Sequence, residues 1–267
     1  KGFYHIYALK SLTRQRESLI KARSKQLIEL TNILDIIFPE FKPFFSNKLT
    51  GNALYILNKY KTPDHISNMT IDSYNNMKKE LRKVMKYSRF LELKQLAKNT
   101  VGFFDDIHIT MLEASLSLYF TLNEQINKIE DLIRKEVLEL EPKMLRIKWF
   151  SIFYIATIIA EYNFFEGFNS PSKCLAFAGL EPGRYQSGQI DKNLPMVKHG
   201  SGHLRNALIY GSFTLLGRYP VLYDYYKKKR DEGKSHNVAL SHVAKKLLRV
   251  IFYLEKNNKV FDTNLLK

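Results

Sequence analysis

Cysteine is almost missing from this chain: Cys174 is the only one in 267 residues. One thiol excludes an internal disulfide and any zinc site built on cysteines, and it makes a reducing cytoplasmic compartment the expected home. Long apolar runs are missing too. No uncharged run is longer than Trp149 to Ala160, far short of the roughly 20 residues that span a bilayer, so no membrane segment is expected. Negative charge is in deficit, with 26 acidic residues against 42 Lys and Arg, a net charge of +16 and a pI near 9.6. That balance favours a polyanionic partner; nucleic acid is preferred, and an anionic lipid surface is the rival. There is no internal repeat, no low-complexity tract and no alternation of apolar and polar residues that argues for a sheet. The chain opens KGFYHIYALK, with no initiator Met, apolar signal core or cleavage site, and is expected to be the interior of a longer protein.

What is present is helical periodicity. From about Tyr4 to Phe38, Leu9, Leu12, Leu19, Leu27, Leu30, Leu34 and Ile37 keep steps of three and four or their multiples until Pro39, which predicts a long amphipathic helix. Arg16 and Arg23 fall on the same seam, where they either snorkel out to water or meet a polyanion. Shorter helices are expected between Phe41 and Gly102, with Lys78, Lys79, Arg82, Lys83 and Lys86 on one stretch. From Ile109 to Leu140 a second long helix carries Leu122, Ile126, Ile129, Ile133, Val137 and Leu140 at near-heptad spacing, predicting an antiparallel hairpin or an intermolecular coiled coil. Pro142 marks the expected boundary between a coiled-coil arm, residues 1–142, and a compact helical domain, residues 143–267. The fold class is all-α. In the last helix Leu240, Val243, Leu247, Val250 and Leu254 form the inner stripe, behind a cap expected at Ser235.

The most informative block is CLAFAGLEPGRYQSGQIDKNLPMVKHGSGHLR, residues 174–205. A Gly-Leu-x-Pro turn leads to Ser187 and then to a basic, Gly-punctuated helix entrance. Arg184, Lys198, His199 and Arg205 flank the serine, and cations with free backbone N–H groups suit a phosphate. Ser187 has no adjacent His or Asp to activate it, so on the residues alone it reads as a turn serine bonding its own backbone. His199 and His203 lie four apart but lack a third ligand, and no metal site is expected in the chain. Lys227 to Arg230 reads as a phosphate contact or a solvated run. Trp149 and Phe150 read as core rather than as base-stacking platforms.

Gly179, Leu180, Pro182, Tyr185, Ser187, Gly188, Lys198, Gly200, Leu204 and Arg205 resemble the pattern of the C-terminal domain of bridge-RNA-guided insertion-sequence transposases, the one-ten/eleven-eleven group. The resemblance runs through nearly all of the chain, including the opening helix SLTRQRESLIKARSKQLIELTNILDIIFPEF. It implies that Ser187 is the nucleophile that attacks DNA and leaves a phosphoserine linkage for rejoining. It implies nucleic-acid contacts by Arg184, Lys198, Gly200 and Arg205, and by Arg16 and Arg23 on the basic arm helix. DNA, a guide RNA and further copies of the chain are the implied partners. It also implies a Mg²⁺ ion held by a preceding RuvC-like domain, which this chain would lack, so that alone it binds nucleic acid without cutting it. One departure stands out: where members carry Pro-Gly-Ile-Gly, this chain has Lys148, Trp149, Phe150 and Ser151. The alternative is a non-catalytic nucleic-acid-binding or oligomerisation module, a decayed remnant.

Overall fold

A computed structural model describes residues 2–49, 51–187, 190–196 and 200–266, with side chains described outside residues 2–3 and 182–199. Among the described residues the regular structure is helical apart from one hairpin. Its helices are α1 (Gly2–Ile37), α2 (Phe41–Phe44), α3 (Gly51–Tyr60), α4 (Pro63–Ser67), α5 (Ile71–Glu80), α6 (Tyr87–Lys98), α7 (Asp106–Leu140), α8 (Ile152–Tyr162), α9 (Pro171–Phe177), α10 (Gly202–Leu216), α11 (Pro220–Asp231) and α12 (His236–Lys256). Between α9 and α10 lie β1 (Pro182–Ser187) and β2 (Ile190–Met196). The all-α expectation holds, and this antiparallel pair is the addition that the residue pattern did not announce. None of the helices among the described residues is long and apolar enough to cross a membrane.

Two units share α1 and α7. One comprises Lys1–Glu17 with Lys128–Lys267, the other Ser18–Asn127. Pro142 follows the end of α7, while the units divide inside the long helices.

In the unit 18–127, the buried Leu30, Leu34 and Ile37 of α1 pack with Phe38, Phe41, Ile56, Leu57, Phe90 and Leu93 and with Leu112 and Leu116 of α7. Short helices need caps because their end N–H groups have no internal partner. Thr62 accepts from the His65 N–H, and Thr70 and Ser73 form a reciprocal capping box. Burial pushes the Glu40 carboxyl up, but bonds from the Thr100 hydroxyl (2.7 Å) and the Val101 N–H (3.1 Å) outweigh it and hold the group below its usual range.

The other unit is built on α12. All five residues of the expected inner stripe, Leu240 to Leu254, are buried in the core where α12 packs on α9, α10 and α11. Ser235 stands at the cap position of α12 but makes no side-chain cap bond, which corrects that expectation: its carbonyl accepts from Ala239 instead. Cys174 is core as expected, its thiol pushed up to about 11 by burial, so little thiolate exists near neutral pH.

Glu255 gives this unit a pH dependence. Burial pushes its carboxyl up, against the lowering effect of the Met144 and Lys143 backbone N–H groups; the Met144 bond is 2.8 Å. A carboxyl that holds its proton more tightly when folded contributes most at low pH. That contribution is lost as pH rises from the ordinary carboxylate pKa through the folded value. Glu255→Gln keeps an acceptor for Met144 and removes the titration. Denaturant melts at about pH 4 and pH 7 are expected to show the variant gaining on wild type as pH rises; a constant difference would remove Glu255 from the pH dependence.

Candidate functional site

The block singled out in the sequence folds as α9, the hairpin and the start of α10, and local chemistry explains its ends. Ser170 caps α9 by accepting from the Lys173 N–H. At the other end Gly179 takes a left-handed conformation, φ 63°. Its N–H bonds to Ala176 O (2.8 Å), and the Leu180 N–H bonds to Leu175 O (3.0 Å). This is a Schellman cap, in which a glycine without Cβ makes the reversal free of strain, and the accompanying apolar contact is that of Leu180 with Leu175, both buried. The Gly-Leu of the motif thus terminates α9 and aims the chain into β1.

The return is fastened to the same place. Gly200 has φ 111°, and a Cβ there would lie 2.2 Å from Phe177 O. The Ser201 N–H bonds to Phe177 O (3.3 Å), and Arg205 reaches across from α10 to Ala178 O (3.3 Å). Ser201 caps α10 through the Leu204 N–H. The hairpin is therefore gripped at its base by the C-terminus of α9, Gly200 and Arg205. Between β1 and β2 the register runs from Pro182 opposite Met196 to Ser187 opposite Ile190, so Ser187 is the last residue of β1 in the pairing.

Arg184 lies within β1, opposite Asn193. Lys198 and His199 lie outside the described residues. His203 Nδ1 is hydrogen-bonded to Glu17, tying α10 to α1. Glu161 of α8 is buried and is met by Arg14 at 3.0 Å, a charge that the fold neutralises internally.

Arg16 and Arg23 are engaged with α7. Arg16 bonds Glu130 through Nε (2.8 Å) and its terminal nitrogen (2.7 Å) and lies 4.1 Å from the centroid of the Phe153 ring. Arg23 donates to the Asn123 side-chain oxygen at 2.6 Å. The apolar seam tolerates both arginines because α7 supplies an acceptor opposite each.

Among the described residues, His5, Glu136 and Glu139 are the group whose donor atoms lie within 4.8 Å of one another. His5 Nδ1 is already hydrogen-bonded to Glu136 at 2.6 Å. A nitrogen donor engaged in that bond, with two carboxylates, does not fit Mg²⁺, which demands a near-octahedral set of oxygens.

The segment Lys148–Ser151 holds a residue that the sequence reading misplaced. Phe150 is core, and its ring lies so close to Gly211 that a Cβ added there would stand 2.5 Å from it. Ser151 caps α8 by accepting from Phe153. Trp149 is 57% exposed and has φ 61°. That corrects the expectation of a core tryptophan: a left-handed backbone, unusual for so bulky a side chain, turns the indole outward while its neighbour fills the interior. Such a conformation costs on the order of 1–3 kcal/mol and persists only where its surroundings enforce it.

Comparison with known proteins places this region. Residues 143–227 match the model of the Transposase IS116/IS110/IS902 family. The "Pilin gene-inverting protein" of Moraxella lacunata is 30% identical over 97 residues, 36% of this chain and 30% of that protein. The "Insertion element IS110 uncharacterized 43.6 kDa protein" of Streptomyces coelicolor is 22% identical over 162 residues, 60% of this chain and 39% of its own length. The "Insertion element IS116 uncharacterized 44.8 kDa protein" of Streptomyces clavuligerus is 23% identical over an alignment covering 96% of this chain and 65% of that protein. In each of these the match spans less than two thirds of the relative's length.

Proposed function

We propose that this chain is the C-terminal part of a DNA transposase or recombinase, holding DNA and contributing Ser187 as the nucleophile of strand cleavage and exchange. The observation that carries this reading is the position of Ser187. It closes β1 on a hairpin gripped at its base, inside the stretch that matches the transposase family model. A hairpin fastened at its base suits a hydroxyl that must approach a phosphodiester along a defined line. The Ser187 oxygen bonds to phosphorus as the bond to one DNA oxygen breaks; its proton passes to a base, the leaving oxygen takes one up, and the phosphoserine ester conserves the bond for rejoining. Arg184, Lys198 and Arg205 are the proposed phosphate contacts. Arg205 also serves the grip on α9, and Arg16 and Arg23 would have to exchange Glu130 and Asn123 for phosphate oxygens to join them.

The metal chemistry that a pentacovalent phosphate calls for is proposed to come from a Mg²⁺ site outside this chain, on an N-terminal RuvC-like domain. Copies of an oligomer, with a guide RNA, would bring that site against Ser187. The alternative is a non-catalytic nucleic-acid-binding or oligomerisation module, and the Lys148–Ser151 departure is the feature that favours it. Trapping decides between them. Full-length protein incubated with nicked DNA, which lets the cut end escape, is expected to yield a covalent adduct that mass spectrometry maps to Ser187; an adduct mapped elsewhere, or none alongside active exchange, rejects the nucleophile.

A further inference from the structure

Away from the hairpin, a cleft of about 580 Å³ is lined by Arg146, Lys148, Trp149, Arg218, Tyr219 and Phe261, with further small and apolar residues. Its composition is one-sided. Three cations line it, no carboxylate does, and among the described residues no ion pair is formed by Arg146, Lys148 or Arg218. Arg14 and Arg16 meet the carboxylates of Glu161 and Glu130; these three cations are all exposed.

The aromatic wall is built outward. The Arg218 guanidinium lies 5.6 Å from the Trp149 ring centroid, and Tyr219 meets the same ring edge-on at 6.1 Å. Phe261 in turn stands edge-on to Tyr219 at 5.9 Å. The Tyr219 hydroxyl donates to Lys148 O at 3.2 Å, tying the cationic segment to the aromatic one. These contacts hold the indole in place and still leave 57% of Trp149 exposed. A large fixed π-face beside unpaired cations is the arrangement that takes a base on the ring and its phosphates on the charges.

We propose that this cleft is a binding site for an unpaired nucleotide of a single-stranded nucleic acid, its base stacked on Trp149 and its flanking phosphates met by Arg146, Lys148 and Arg218. A base inside a duplex is stacked on its neighbours and offers the indole no face, so the site selects single strands. The proposal is independent of any role for Ser187: it concerns a separate surface and requires no cleavage.

Trp149 is the only tryptophan, so its fluorescence reports this site alone. Oligothymidylate and oligouridylate of about 12 nucleotides, within the span that single-strand platforms cover, are titrated into the full chain alongside a duplex of the same length. Saturable quenching by a single strand with little by the duplex supports the site, and the stronger of the two single strands identifies DNA or RNA as its source. Equal quenching by the duplex, or none by either single strand, overturns it. Arg218→Ala, which keeps the fluorophore, is expected to reduce the salt slope of single-strand binding by about 0.7, one phosphate contact. Trp149→Gly suits the left-handed backbone and should fold at least as well as wild type. Followed by anisotropy of a labelled oligonucleotide, it is expected to weaken single-strand binding by roughly tenfold or more; wild-type affinity in this variant removes the stacking role.

Discussion

Replacing Ser187 with alanine in the full-length protein is expected to abolish strand exchange, a loss of at least about 10⁴-fold, while DNA affinity stays within about twofold of wild type. The magnitude follows from the role. A phosphate contact shares its work with other cations, so its loss is partial, but the atom that forms the covalent bond has no substitute. The affinity should hold because one neutral hydroxyl adds little to binding dominated by Lys and Arg. Ser187 is also the cleanest residue to test. Arg205 is bonded to Ala178 O, so its removal would loosen the hairpin base and confound chemistry with folding. Exchange kinetics on supercoiled substrate, with binding measured in parallel, give the answer; exchange at wild-type rate would exclude Ser187 from the reaction.

How much of this was legible in the sequence depends on the range of the interactions. Local periodicity placed α1, α7 and α12 within a few residues, because a 3.6-residue pattern, ended by a proline after α1 and α7, is written in adjacent positions. The hairpin was not legible. PGRYQS and IDKNLPM lack the alternating β-branched pattern of a strand, and their pairing accompanies a grip at the base made by Phe177, Ala178, Gly200 and Arg205, residues outside the strands. The settings of Arg16 and Arg23 were hidden for a related reason: their acceptors, Glu130 and Asn123, lie 114 and 100 positions away. Trp149 failed differently. Its type and apolar neighbours announce core, and only the left-handed φ sends Phe150 inward and Trp149 outward.

Gly200→Ala carries the largest expected effect on stability, a loss of roughly 3 kcal/mol or more. Two costs combine there. A φ of 111° is one that an L side chain rarely adopts, and the new methyl would meet Phe177 O at 2.2 Å, a backbone atom that cannot rotate away. Relief requires opening the Ser201 to Phe177 bond and with it the base of the hairpin. Denaturant unfolding should therefore show the loss, and amide exchange should quicken first at Leu180, Ser201 and Arg205. Wild-type stability in Gly200→Ala would mean that the grip does not exist as described. The result also bears on what the motif records. Gly179, Leu180, Gly200, Leu204 and Arg205 are accounted for by the α9 cap, the core and the grip. Of the other motif positions, Pro182, Tyr185 and Ser187 are described by their backbone alone, and Gly188 and Lys198 lie outside the described residues. The first group would be required of any protein that holds this hairpin, whatever the hairpin does. On the proposed reading the chemistry falls on Ser187 in the second group, so the decisive substitution belongs there, and Gly200→Ala should lose function only in proportion to fold.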